Sequence, residues 1–114
     1  MFRLVCISGS ISGRSFLLKE GDNILGRAEE ADITIPSQGV SKKHCSVIVR
    51  NGVASLVDLG SRNGTFVNGV LVKKKDLSVG DKIGVYDNVF QLQKGMTRAQ
   101  PLPNFFLNIK PSRR

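Results

Sequence analysis

The chain has 114 residues, a length that suits one domain, and hydrophobic residues make up 40% of it, which favours a folded core over disorder. Its 17 Lys and Arg residues outnumber the 9 Asp and Glu residues, and the net charge of +8 favours acidic partners such as nucleic acid, phosphoproteins or anionic lipid. No apolar stretch approaches the ~20 residues of a membrane helix, and the opening MFRLVCISGSISG is a poor signal peptide, so we expect a cytoplasmic protein with no membrane partner.

The first half of the chain predicts short strands separated by Gly, Asp, Asn and Ser. No segment carries apolar residues at the period of a helix. The first four strands are predicted at 2–8, 15–19, 23–26 and 32–35. Turns at 12–13 and 21–23 separate the first three strands, and Pro36 ends the fourth.

The second half predicts three hairpins, each with a two-residue turn. Asn51-Gly52 joins strands 45–50 and 53–59, Asn68-Gly69 joins 65–67 and 70–72, and Asp87-Asn88 joins 82–86 and 89–93. Asn and Gly tolerate the positive φ angles that tight hairpins need. Strand 45–50 alternates, which predicts Cys45, Val47 and Val49 on one face. So many short strands indicate an all-β sandwich or barrel.

The end of the chain differs in composition from the rest. We predict one domain over 1–94 and a Pro-containing basic tail or linker over 95–114, which holds three of the four prolines and an apolar patch at 105–107. Such a tail is typical of one piece of a larger polypeptide. Thr97 in this tail is a candidate for phosphorylation. The basic run at 73–75 is predicted to be a solvated face.

Two cysteines, Cys6 and Cys45, lie inside apolar runs. Two are too few for a disulfide framework, so we expect small buried core residues in a reducing compartment.

An enzymatic site is a first interpretation of the polar segments. Ser41, His44 and Asp58 are the residue types of a nucleophilic triad, but the chain has no G-x-S-x-G motif. Cys6, His44 and Cys45 lack the spacing of metal ligands, and there is no phosphate-binding glycine pattern of a nucleotide site. We therefore expect no catalysis, no metal and no cofactor.

An anion-binding site is a second interpretation. Arg27 offers a planar fork of donors that can hold two phosphate oxygens, and Ser41 offers a hydroxyl. Lys42 and Arg62 add positive charge, and the amide of Asn63 suits a bond to peptide backbone. These residues lie in loops between predicted strands, and they form one site only if the loops meet at one end of the sandwich.

Several motifs, in one order and spacing, resemble a known family. They are Gly26-Arg27, ADITIP at 31–36, SKKH at 41–44, DLGSRNGTFVNG at 58–69, L-x-x-G-D-x-I at 77–83 and VFQL at 89–92. The set resembles the forkhead-associated (FHA) domain, a family of phosphothreonine-binding modules, over residues 2 to 94. The resemblance implies an all-β sandwich of about eleven strands with its binding loops at one apex.

The resemblance implies phosphopeptide contacts for five residues. Arg27 matches the arginine that grips the phosphate, Ser41 the serine whose hydroxyl bonds it, and Asn63 the asparagine that bonds the ligand main chain. Lys42 and Arg62 stand where family members vary and often add contacts.

The resemblance also implies structural support of the binding loops. His44 matches a histidine that braces the loops, so it acts neither as a base nor as a metal ligand, and Asn68-Gly69 matches a structural turn. The residues in this group are Gly26, His44, Gly64, Thr65, Asn68 and Gly69. Gly39 stands where some relatives place a charged residue that reads the ligand three positions on, and glycine has no side chain for this role.

The resemblance implies a phosphothreonine-containing protein or peptide as the partner and a Ser/Thr protein kinase upstream. Two alternatives stay open. The first is a scaffold that binds partners without phosphate, which the presence of both Arg27 and Ser41 disfavours. The second is a basic nucleic-acid binder, disfavoured because the chain has one Tyr and no Trp for base stacking.

Overall fold

The computed structural model describes residues 1–94, and the predicted tail, with Thr97 and the apolar patch, lies outside the described residues. Within residues 1–94 the chain forms eleven strands. They are β1 Phe2–Ser8, β2 Ser15–Leu17, β3 Gly21–Gly26, β4 Ile33–Thr34, β5 Cys45–Arg50, β6 Val53–Asp58, β7 Thr65–Val67, β8 Val70–Val72, β9 Lys74–Leu77, β10 Lys82–Val85 and β11 Asn88–Lys94. This part of the chain has no helix that could cross a membrane.

Two sheets form the fold. One has the strand order β2-β1-β11-β10-β7-β8, and the other has the order β4-β3-β5-β6-β9. Strands β3 and β4 pair in parallel, and the other neighbours pair antiparallel. The predicted all-β sandwich is therefore confirmed. The domain boundary near residue 94 stays a prediction.

Alternating apolar side chains from both sheets fill the core. Leu4 and Leu92 come from the six-stranded sheet, Leu25 and Leu56 come from the five-stranded sheet, and all four are 0% exposed. Burial of one such side chain contributes about 1.5–3 kcal/mol, so this layer holds the sheets together. The core positions the loops at the strand ends, where the polar motifs lie.

Cys6 and Cys45 are buried free thiols, as predicted. Burial raises the pKa of the Cys45 thiol to about 12. Because the thiolate is the nucleophilic and metal-binding form, Cys45 acts as a small apolar core residue.

Two of the three predicted hairpin turns are confirmed. Asn51 has a φ of 52° and Asn68 a φ of 51°, and the glycine that follows each also has positive φ. The third prediction is wrong by one residue, because the turn is Tyr86-Asp87 and Asn88 pairs with Val85.

The position of Asn88 explains this shift. Its side chain is 0% exposed, its Oδ1 accepts from the Ser10 backbone N–H at 3.0 Å, and its Nδ2 donates to the Val85 carbonyl at 3.1 Å. These bonds tie the β1–β2 connection to β11. Asn88 therefore occupies a buried strand position, and Tyr86 has to adopt positive φ in the turn.

One further prediction is wrong, and one strand was not predicted. The predicted turn at 21–23 belongs to β3, and Asn23 reaches back from the strand to bond both the N–H and the carbonyl of Lys19 at 3.0 Å. The basic run at 73–75 is exposed as predicted, but Lys74 and Lys75 also form part of β9, a strand that the sequence did not predict. Lysines on such an edge strand discourage pairing with other chains. The bounds of the other strands agree with prediction within two residues.

Candidate functional site

Three loops meet at one end of the sandwich. The Arg27 N–H donates to the Ser41 carbonyl at 3.0 Å, which joins the end of β3 to the β4–β5 loop. The Arg62 N–H donates to Ser41 Oγ at 3.0 Å, and Asn63 Nδ2 donates to the Gly39 carbonyl at 2.8 Å. These two bonds join the β6–β7 loop to the β4–β5 loop. The structure thus brings together residues from three segments, at 27, at 39–41 and at 62–63, that are far apart in the sequence.

An open pocket lies among these loops. Arg27 Nε donates to the Val40 carbonyl at 3.1 Å, which orients the guanidinium, and its two terminal nitrogens have no hydrogen-bond partner within residues 1–94. The pocket is lined by Arg27, Gln38, Gly39, Val40, Ser41, Lys42 and Arg62. Among the described residues, no carboxylate lines it, so the pocket is positively charged and suited to an anion.

Gly26 allows the close approach of β3 to the β4–β5 loop. A Cβ placed on Gly26 would lie less than 3.0 Å from the carbonyl carbon and oxygen of Lys42. This backbone contact places Lys42 and the adjacent Ser41 beside Arg27. Gly26 therefore permits this close approach at an ordinary φ angle because it lacks a Cβ, and its support of the binding loops stays a prediction.

The buried His44 joins the β4–β5 loop to the β6–β7 loop. Its side chain is 0% exposed, Nδ1 accepts from the Ser41 N–H at 3.1 Å, and Nε2 lies 2.8 Å from the Gly64 carbonyl. Because a carbonyl only accepts and a backbone N–H only donates, Nε2 donates to Gly64 and Nδ1 accepts from Ser41. Both nitrogens are used within the protein, which leaves no free atom for a base or a metal ligand. No cluster of potential metal ligands occurs in residues 1–94.

Asp58 organises the β6–β7 loop. It accepts from the hydroxyls of Ser61 and Thr65 at 2.5 and 2.6 Å, and from the N–H groups of Gly60 and Ser61 at 3.0 and 3.1 Å. Burial raises the pKa of Asp58, but the bonds from Ser61 and Thr65 outweigh burial and hold the pKa below its ordinary value. These bonds occupy the carboxylate that a triad would use.

The lowered pKa of Asp58 predicts a loss of stability in acid. A carboxyl with a lower pKa in the folded state stabilises the fold above the unfolded value of about 3.9, and this contribution is lost as the pH falls through the folded value. We expect Asp58→Asn to lower the free energy of unfolding at pH 7 by about 1–3 kcal/mol. The difference should narrow between pH 7 and about pH 3, because the stabilisation by the carboxylate begins to be lost once the pH falls below the unfolded pKa of about 3.9. Denaturant titrations of wild type and Asp58→Asn at both pH values measure this difference. The same difference in the free energy of unfolding at both pH values would contradict the prediction.

Tyr86 is a site neighbour that sequence reasoning missed. Its φ is 57°, which is uncommon for an aromatic residue, and a Cβ on Gly39 would overlap its ring. The ring therefore packs flat against Gly39, whose carbonyl holds Asn63. Ser37 Oγ also donates to Asp87 at 2.9 Å. The predicted turn at Asp87-Asn88 placed Tyr86 in a strand, so the contact between Tyr86 and Gly39 was not expected. An aromatic residue next to the predicted turn was the one sequence signal that pointed to it.

We predict that Tyr86→Asn separates ligand affinity from stability. Asn tolerates positive φ better than Tyr, so the melting temperature should stay level or rise. Loss of the ring frees Gly39 and loosens Asn63, which should weaken ligand binding by about 1 kcal/mol, roughly fivefold in Kd. Tyr86→Phe keeps the ring and is the control. Unchanged affinity in Tyr86→Asn would show that the ring does not position the loop.

The remaining predicted support residues lie in two places. Gly64 and Thr65 lie at the site, bonded to His44 and Asp58. Asn68 and Gly69 lie at the other end of β7, where Asn68 bonds Asp81 and the Lys82 N–H, so the structure does not bring them to the binding loops. The roles of all predicted site residues stay predictions.

The family model described as FHA domain matches residues 23–85, which is more than half of the 114 residues. The chain belongs to the FHA domain family, as its motifs indicated.

Individual relatives agree with this assignment. The chain is 44% identical over 72 residues to the FHA domain-containing protein FhaA of Mycobacterium tuberculosis, a match that covers 63% of this chain and 14% of FhaA. It is 34% identical over 82 residues to the glycogen accumulation regulator GarA of the same species, covering 72% of this chain and 51% of GarA. The chain thus spans a minor part of FhaA and about half of GarA.

Solved structures agree with the fold. A structure reported for phosphothreonine-dependent FHA domain interactions has a TM-score of 0.77 and 34% identity, and covers 84% of this chain and 98% of that chain. The FHA domain of FhaA, in complex with the intracellular domain of Rv3910, has a TM-score of 0.76 and 35% identity, and covers 82% of this chain and 100% of that chain.

Proposed function

We propose that this chain binds phosphothreonine in partner proteins. The observation that carries the proposal is the convergence of Arg27, Ser41, Lys42 and Arg62 on one open pocket, in which residues 1–94 place no carboxylate. A phosphothreonine carries a charge of about −1.5 to −2 and three acceptor oxygens, which match the cations and donors of this pocket. The similarity to a phosphothreonine-dependent FHA domain also supports the proposal.

The donors suit a phosphate. The terminal nitrogens of Arg27 can hold two oxygens in a bidentate, charge-assisted contact. Ser41 Oγ already accepts from the Arg62 N–H, so its own hydrogen is available to a third oxygen. Lys42 and the side chain of Arg62 add charge at the rim of the pocket.

Asn63 suits the main chain of the ligand. One hydrogen of its amide is donated to the Gly39 carbonyl at 2.8 Å, which fixes the orientation of the side chain. The second hydrogen and Oδ1 are then free for a carbonyl and an N–H of an extended peptide. Asn63 therefore holds the peptide and the Arg27 pocket holds the phosphate.

The partners follow from this chemistry. The partner is a phosphothreonine-containing protein or peptide, and the enzyme upstream is a Ser/Thr protein kinase. The relatives in which this domain is a minor part support the prediction that the chain belongs to a larger polypeptide. We propose no catalytic activity, and the cytoplasmic location stays a prediction.

A titration series tests the proposal. A fluorescent phosphothreonine peptide library is compared with the same peptides unphosphorylated and with phosphoserine. We expect binding to the phosphorylated peptides only, with phosphothreonine preferred over phosphoserine by roughly fourfold or somewhat more, since one extra buried methyl contributes about 0.8 kcal/mol. Equal binding of phosphorylated and unphosphorylated peptides would favour a phosphate-independent scaffold. If DNA displaces the bound peptide at a lower concentration than unlabelled phosphopeptide does, nucleic acid would be favoured as the ligand.

A further inference from the structure

An apolar stripe crosses the outer face of the six-stranded sheet. Leu71 of β8 lies opposite Phe66 of β7, Phe66 lies opposite Gly84 of β10, and Gly84 lies opposite Val89 of β11. The strand neighbours of these residues on β7, β10 and β11 are buried in the core, so the four residues of the stripe face outward. Leu71 is 61% exposed, while the other three are half-buried.

The stripe begins at the β6–β7 loop. A Cβ on Gly64 would lie 2.6 Å from Leu71 Cδ1 and 3.7 Å from Phe66 Cε1, so both side chains lean over the loop beside Asn63. A groove runs between this loop and β8. Its lining consists of Asp58, Ser61, Arg62, Asn63, Gly64, Phe66, Leu71, Val72 and Lys73.

The groove continues directly from the proposed phosphothreonine site. Arg62 lines both the phosphate pocket and the groove, and Asn63 lies between them. An extended peptide advances about 3.3 Å per residue, so a chain held at Asn63 reaches Leu71 within a few positions of its phosphothreonine. The occupant that this continuity favours is the same phosphorylated partner chain.

The chemistry of the groove specifies the occupant further. Phe66, Leu71 and Val72 supply its apolar lining, and Arg62 and Lys73 supply cations. Asp58 is its one carboxylate in the part of the chain that the structure describes, and that group is occupied by the loop bonds. The groove therefore suits an apolar side chain with an acidic neighbour.

We propose that the groove between the β6–β7 loop and β8 is a second subsite, which takes a leucine-like side chain a few residues from the phosphothreonine of the same partner. This inference rests on the proposed function, because the phosphothreonine site holds the chain in place. Leu71 is the residue that determines this specificity. The subsite would restrict which phosphothreonine segments this domain selects.

The test combines a scan of leucine along the phosphopeptide with the Leu71→Ser substitution in the protein, so that the two changes form a double-mutant cycle. A phosphothreonine peptide with alanine at the flanking positions is compared with peptides that carry one leucine at each of the four positions on either side. We expect one position at which leucine tightens binding by about tenfold. In Leu71→Ser the ratio between that leucine peptide and the all-alanine peptide should fall to about one.

Leu17→Ser is the matched control. Leu17 is 60% exposed on β2, the opposite edge strand of the same sheet, and this variant should keep the tenfold ratio. A flat scan in a protein that binds the all-alanine phosphopeptide would overturn the subsite and leave the proposed function standing. A ratio that Leu71→Ser leaves unchanged would also overturn it. A protein dimer that Leu71→Ser dissociates would assign the stripe to a second copy instead. If no phosphopeptide binds at all, the proposed function fails together with the subsite.

Discussion

Arg27→Ala should abolish measurable phosphopeptide binding and leave the fold intact. Among residues 1–94 the exposed side chain makes one hydrogen bond, to the Val40 carbonyl, so its removal disturbs little of the described structure. The ligand loses two charge-assisted bonds of about 1.5–3 kcal/mol each, which together correspond to a loss of at least about a hundredfold in Kd. Calorimetric titration and thermal melting of the same samples measure both quantities.

Two variants make this test specific. Arg50→Ala removes the same charge from an exposed residue beside the Asn51-Gly52 turn and should bind normally. Arg27→Lys keeps the charge but loses the planar fork, so its affinity should lie between wild type and Arg27→Ala. A folded Arg27→Ala protein with normal affinity would refute the role of Arg27.

His44→Ala should weaken binding mainly by lowering stability. The substitution empties a site that is 0% exposed and leaves the Ser41 N–H and the Gly64 carbonyl without partners. We expect a loss of about 2–4 kcal/mol in the free energy of unfolding, from the cavity and the unpaired groups together. That is a large fraction of the ~5–15 kcal/mol stability of an ordinary domain.

Denaturant unfolding and phosphopeptide titration should therefore change together in His44→Ala. His44→Gln, whose amide offers one donor and one acceptor, should recover part of the stability. Lost binding at unchanged unfolding free energy would contradict the bracing role and reassign His44 to the ligand.

Local signals predicted most of the fold. Asn-Gly pairs located two hairpins because their φ requirement is a property of the turn itself. The motifs at Gly26-Arg27, 41–44 and 61–63 predicted which loops would carry a site. Each motif indicated its own loop, but none of them indicated which loops contact one another.

The features that the sequence did not predict depend on distant contacts. The Tyr86-Asp87 turn depends on part-buried bonds between Asn88 and Ser10, 78 residues away along the chain, and on the buried bond from Asn88 to the Val85 carbonyl. Strand β9 forms because Leu77 is drawn into the core opposite Ala54, while its lysines show no strand preference of their own. The packing of Tyr86 on Gly39 likewise joins two loops through space. A periodic pattern contains no information about such pairs.

The bonds that join the β4–β5 and β6–β7 loops have a consequence for recognition. Ser41 is held by the Arg62 N–H, and Asn63 is held by the Gly39 carbonyl, before any ligand arrives, so the site is preorganised. Most of the entropy lost on binding then belongs to the flexible phosphorylated segment. Target affinity should therefore rise when that segment is already extended in its own protein. The domain would in this way discriminate between kinase substrates by their conformational freedom as well as by their sequence.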